Sequence, residues 1–209
     1  MRTDLLMAAQ EEFLFRYPLG FDDEEMLIIK KKHNISKLHD FVVDAFAKEK
    51  FVFVEVIIED MIRLISRASM VSMFEKPKFR DYARSLSTES KEKLVFGLYE
   101  LLHGNQELGF NEILDILVNG KMARWSLISA FMYYYSPELE VFCKPTTVKN
   151  IIRVFELEGL IYKPRPSYDF YVLFRKNIIE MKAMCDQRIG NDNAGMTGFL
   201  MMTMPSSDK

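Results

Sequence analysis

Phe51-Val52-Phe53-Val54-Glu55-Val56-Ile57-Ile58 is the stretch on which the fold turns. Taken alone, this β-branched run suits a strand, because branched side chains pack well on a pleated surface. Read onward, Val54, Ile57, Ile58, Met61, Ile62 and Ile65 continue one uninterrupted apolar stripe at helical spacing. A strand would need alternation, so the stripe predicts a long helix that ends near Met73.

Helical punctuation extends in both directions from this stripe. Leu5 to Tyr17 has helical periodicity and is broken at Pro18-Leu19-Gly20. Asp22 to Glu25 then places acids at the positive end of a second helix, which closes on Lys30-Lys31-Lys32-His33. Ser36 is an N-cap candidate for a third helix that reaches about Glu49. Downstream, Pro77 is read as a stop, and Thr88 opens a helix that ends at His103-Gly104-Asn105. Further helices are predicted over Phe110 to Val118 and Met122 to Tyr135, from Thr146 or Thr147 to Glu158-Gly159, and from Ser167 to about Cys185. Leu139 to Phe142 and Leu160 to Tyr162 read as short extended segments. The expected architecture is all-α, an orthogonal fold of about eight helices. Residues 1–190 form one helical domain, and 191–209 are a turn-rich tail partly docked by Phe199-Leu200-Met201-Met202.

The 209 residues, 49% of them hydrophobic and 28% charged, are enough for a sizeable core. The 14 Met and 17 Phe beside a single Trp suit irregular gaps between helices. Cys143 and Cys185 are isolated in apolar contexts, as expected of free, slow-reacting thiols in a reducing, cytoplasmic compartment. The chain shows no basic and apolar leader, and its longest uncharged apolar stretch, Leu127 to Tyr135, is far short of the ~20 residues of a membrane helix. No membrane association is expected.

Most familiar chemistry is missing from the sequence. Neither a glycine-rich phosphate loop nor a dinucleotide fingerprint is present, so no cofactor is expected. His33, His39 and His103 lack the i, i+4 spacing that puts two imidazoles on one helical face, and the cysteines stand far apart, so no metal site is expected.

Charge supplies the one local signal. The formal net charge of −2 argues against global attraction to polyanions. Between Lys144 and Lys182, however, eight Lys or Arg face four acids, a local +4. Lys144-Pro145-Thr146-Thr147 through Glu158-Gly159-Leu160-Ile161 looks like the recognition helix and following strand of a winged helix. In that reading Lys149 and Arg153 share a helical face, and Lys163 and Arg165 sit on the wing. Two features oppose it. The connection before Lys144 is longer than a helix-turn-helix turn, and the expected return strand has helical periodicity.

The strings Phe74-Glu-Lys-Pro-Lys-Phe-Arg-Asp81, Glu140-Val-Phe-Cys-Lys-Pro-Thr-Thr-Val-Lys149, Tyr162-Lys-Pro-Arg-Pro-Ser-Tyr-Asp-Phe-Tyr171 and Gly198-Phe-Leu-Met-Met202 resemble a family of uncharacterised bacterial proteins. The resemblance implies a bacterial cytoplasmic protein and carries no activity with it. The residues favour a non-enzymatic interaction protein that meets nucleic acid through Lys149, Arg153, Lys163 and Arg165. The alternative is an enzyme with a pocket near Arg165 and Tyr171. A homo-oligomer enters if the apolar tail docks on a neighbour rather than on its own chain.

Overall fold

The computed structural model describes residues 1–190 and 192–204, which form helices and no strand. In chain order these are α1 (Thr3–Arg16), α2 (Glu24–His33), α3 (Ile35–Ala45), α4 (Val54–Arg67), α5 (Glu75–Ser85), α6 (Thr88–His103), α7 (Gln106–Asn119), α8 (Trp125–Tyr135), α9 (Pro145–Val154), α10 (Tyr168–Met184) and α11 (Asn193–Thr203). None of these helices is long and apolar enough to cross a membrane.

The centre of the fold is α8, which carries no charge and is buried from Trp125 to Tyr134. A helix that is apolar on every side has to be surrounded, and α3, α4, α6 and α7 all pack on it. The stripe that opened the sequence reading is the buried face of α4, where Ile57, Ile58, Met61, Ile62 and Ile65 join the core. The strand-like start of that run splits. Lys48–Val52 forms a 3₁₀ turn, Val52 and Phe53 are exposed, and the α-helix begins only at Val54. It also ends at Arg67, short of Met73, which is exposed.

Two local readings are corrected. Pro77 does not stop a helix but lies in the first turn of α5, where backbone N–H groups have no intrahelical acceptor and a proline costs nothing. The part of the tail from 193 to 203 is helical rather than turn-rich. Residues 193–203 form α11, with Phe199 and Leu200 fully buried, so this segment docks on its own chain. The Phe199 ring meets Phe13 of α1 edge-on at 5.4 Å. Met201 and Met202 of the same cluster remain partly exposed. Asn191 and residues 205–209 of the expected tail lie outside the described residues.

Both cysteines are free, Cys143 buried and Cys185 partly so. Burial pushes the Cys185 thiol up to about 11, with Asp186 adding to it, and pushes Cys143 higher still. Thiolates are the reactive species, so titration with an aromatic disulfide near neutral pH should modify Cys185 slowly and Cys143 only on unfolding.

The closest helix pair is α6 with α7, and glycine makes it so. A methyl group on Gly109 would overlap the Leu101 backbone nitrogen and the Gly97 carbonyl oxygen. Elsewhere in a helix, Gly→Ala gains up to ~1 kcal/mol in propensity. Here the obstructing atoms are backbone and the helices must separate, at a cost of ~1–3 kcal/mol or more. The clash outweighs the propensity, and Gly109→Ala should lower the urea midpoint, whereas a gain in stability would contradict this crossing.

Candidate nucleic-acid interface

Pro145 opens α9 with a backbone angle already suited to a helix. Thr147, Val148 and Ile151 face the core, which leaves Lys149 and Arg153, four residues apart, exposed on the outer face. Phe155 ends the helix, and its carbonyl accepts from the Arg2 backbone N–H at 2.8 Å. Glu156 (φ 48°) and Gly159 (φ 75°) then take left-handed backbone conformations. These turn the chain so that Leu160 to Lys163 passes back beside α9.

The return places Tyr162 under Lys149, whose Nζ stands 5.0 Å from the ring centroid. The Lys163 carbonyl accepts from Trp125 Nε1 at 2.8 Å, which ties this strip to the start of α8. Burial raises the Tyr162 phenol above its ordinary range, Cys143 adds to that, and Arg124, at the N-terminal edge of α8, pulls it back. Arg124 precedes Trp125, which bonds this strip, and its charge is felt at Tyr162. At the other end of α9, burial lowers the His33 imidazole, and Lys32 and then Lys144 lower it further.

The structure sorts the bases of the +4 segment. Arg175, partly buried, pairs with Glu140, Lys176 pairs with Glu180, and Lys182 reaches the Glu138 carbonyl. Lys144, Lys149, Arg153, Lys163, Arg165 and the additional Arg124 have no carboxylate within ion-pair distance among the described residues. Of the four residues singled out from sequence, Lys149 lies over Tyr162 and Arg153 follows one turn along, while Lys163 is exposed next to Tyr162 in the returning strip. Arg165 is exposed between Pro164 and Pro166, with no polar or ring contact to the others.

The winged-helix likeness does not extend to architecture. Nine residues separate α8 from α9, and the place of a return strand is taken by α10. Comparison with protein-family models, curated proteins and solved structures found no match in any of the three. What this face does has to be argued from its own chemistry.

The other polar constellation lies inside. Glu140, with its side chain 9% exposed, accepts from Gln106 Nε2 at 2.7 Å, from Tyr171 Oη at 2.7 Å and from Arg175 Nη1 at 2.7 and 2.6 Å. Tyr171 also accepts from the Val141 N–H at 3.2 Å, and Tyr168 donates to Gln106 at 3.1 Å. Burial first, and Glu140 next, push the Tyr171 hydroxyl well above its ordinary range, so it stays a neutral donor. Tyr171 is wholly enclosed while Arg165 is exposed, so the two do not line one pocket.

The histidines are each engaged singly, His33 with Ser69, His39 with the Tyr134 carbonyl and His103 with the Phe46 carbonyl. No group of three or more metal-ligating side chains occurs among the described residues.

Removing one partner of a buried, hydrogen-bonded ion pair costs ~3–5 kcal/mol, because the other charge stays buried without compensation. Glu140→Ala also strands Tyr171 and Gln106. Chemical denaturation should show a loss of that order, and a change below ~1 kcal/mol, the range of surface pairs, would mean that solvent reaches the network.

Proposed function

We propose that this chain is a non-enzymatic interaction protein that holds a nucleic-acid backbone against α9 and the returning strip 160–163. The observation that carries the reading is that Lys149 lies over the Tyr162 ring with Arg153 one turn along on the same exposed face, neither having a counter-carboxylate among the described residues. Elsewhere in this chain Arg84, Lys91 and Arg188 are balanced by nearby acids, whereas the exposed Lys31, Lys32 and Lys37 are not, among the described residues. A face left uncompensated in a protein of net charge −2 suits a polyanion that supplies the missing charge. Lys and Arg contacts to phosphates position a ligand without reading its sequence. A short helix that is not the second helix of a helix-turn-helix supports such backbone contact better than groove-specific recognition. The tyrosine ring beneath Lys149 adds a planar surface of the kind on which unpaired bases stack.

No observation favours the enzymatic alternative, since Tyr171 is spent on the Glu140 network.

Binding to a labelled duplex and to a single strand, followed by anisotropy across a salt series from ~50 mM upward, tests the reading. Affinity should fall steeply with salt, because each neutralised phosphate releases condensed counterions. The double variant Lys149→Ala, Arg153→Ala should weaken binding and flatten the log–log salt slope by about two, one for each lost phosphate contact. Its thermal midpoint should be unchanged, because both side chains are exposed. No binding of either nucleic acid at ~50 mM salt would make the face an ordinary solvated surface.

A further inference from the structure

Away from the basic face, α6 presents Glu92, Val95, Phe96 and Tyr99 at i, i+3, i+4 and i+7, one stripe of the helix. Opposite stand Phe51, from the 3₁₀ turn before α4, and Val54, its first residue. Together they line an open groove of about 260 Å³. Two of its walls are set nearly at right angles: the Phe51 and Tyr99 rings are 5.3 Å apart with an interplanar angle of 78°. Phe96, 47% exposed, supplies a third aromatic surface.

The back of this box is held in place. His103 meets Phe51 edge-on at 5.6 Å and Tyr135 edge-on at 5.4 Å. Its Nε2–H donates to the Phe46 carbonyl at 2.7 Å, which fixes the ring. The aromatic walls are therefore preorganised rather than formed by a ligand.

The one charged residue of the lining is Glu92. Its neighbours are paired elsewhere, Lys91 with Glu55 and Lys93 with Glu89. Glu92 itself has no base within ion-pair distance among the described residues. A carboxylate at an aromatic box selects for a cation, and the negative faces of the rings select for the same charge. Apolar walls disfavour a strongly hydrated ion such as a primary ammonium. They suit a cation whose charge is spread over methyl groups. The volume is below the range of drug-sized pockets and fits a single small head group.

We propose that this groove binds a small molecule carrying an alkylated ammonium group, with Phe51, Phe96 and Tyr99 around the methyls and Glu92 as counter-charge. The site is independent of the basic face, and the fate of either reading leaves the other untouched.

The test uses the whole protein and three probes in NMR titrations: choline, its neutral carbon isostere 3,3-dimethyl-1-butanol, and ammonium chloride at matched ionic strength. Choline should shift resonances of Phe51, Phe96 and Tyr99 saturably and bind at least about tenfold more tightly than the isostere. Equal binding of the isostere would overturn the proposal, since the groove would then be merely apolar. Competition by ammonium chloride at the same concentration as choline would overturn it too, because charge alone would suffice. Glu92→Gln, at an exposed position, should weaken choline several-fold with no change in thermal midpoint, and Phe96→Leu should do the same. If both variants bind choline as the parent does, the cage is not the site. A peptide bearing trimethyl-lysine provides the last arm: affinity more than about tenfold above that of choline would overturn the small-molecule assignment in favour of a protein partner.

Discussion

The carboxylate of Glu140 is drawn out of water into the meeting point of several elements, and a buried charge of that kind is tolerable only when its oxygens are saturated with donors. Gln106 comes from the start of α7, and Tyr171 and Arg175 come from successive turns of α10. The Glu140 backbone carbonyl accepts from Asn193 at the start of α11, whose own N–H donates to the Pro137 carbonyl. The carboxylate thus registers two helices, and the backbone carbonyls beside it a third, against the extended link between α8 and α9. That link has neither helix nor sheet to define it, so its path depends on these bonds. The basic face inherits its position from them, because α9 begins five residues after Glu140 and everything Lys149 meets follows from where α9 starts.

What could be read in advance was local. The stripe from Val54 to Ile65 is periodic, so its buried face was legible, and the i, i+4 relation of Lys149 and Arg153 put them on one face without reference to the rest of the chain. Proline was read too simply: Pro77 breaks a helix only when it falls in the interior, and nothing local to Phe74-Glu75-Lys76 says that a helix is starting there. The segment 193–203 was read as turns because Gly195 and Gly198 lower helix propensity. Packing of Phe199 and Leu200 overrides that small penalty. The Glu140 network was beyond reach, since its members are drawn from positions 106, 140, 171 and 175. Arg124 escaped for a similar reason: it lies outside the basic segment, and only the turn at Glu156 and Gly159 brings Tyr162 back to it. Arg175, counted among the segment's bases, pairs with Glu140 instead.

The two surface sites differ in how charge is managed. Around Tyr162 positive side chains are left without acids, and nothing but water or a ligand can balance them. Along α6 Glu89, Lys91 and Lys93 are paired and the Glu100 carboxylate accepts from the Asn105 N–H, while Glu92 has no base within ion-pair distance among the described residues. In both places an aromatic ring from an irregular segment, Tyr162 in one and Phe51 in the other, lies beside the uncompensated group, and along α6 the helix adds Phe96 and Tyr99 of its own.

The glycine crossing of α6 and α7 bears on motion. Side chains that interdigitate can shear past one another by changing rotamers, but at Gly109 the backbone of α7 meets the backbone of α6 at Gly97 and Leu101 and no such cushion exists. The two helices therefore move as one body, and the stripe from Glu92 to Tyr99 behaves as a fixed jaw. The opposing jaw is the single turn Lys48–Val52, held by local backbone bonds and by the contact of Phe51 with His103. Any change in the gape of the groove falls to that turn.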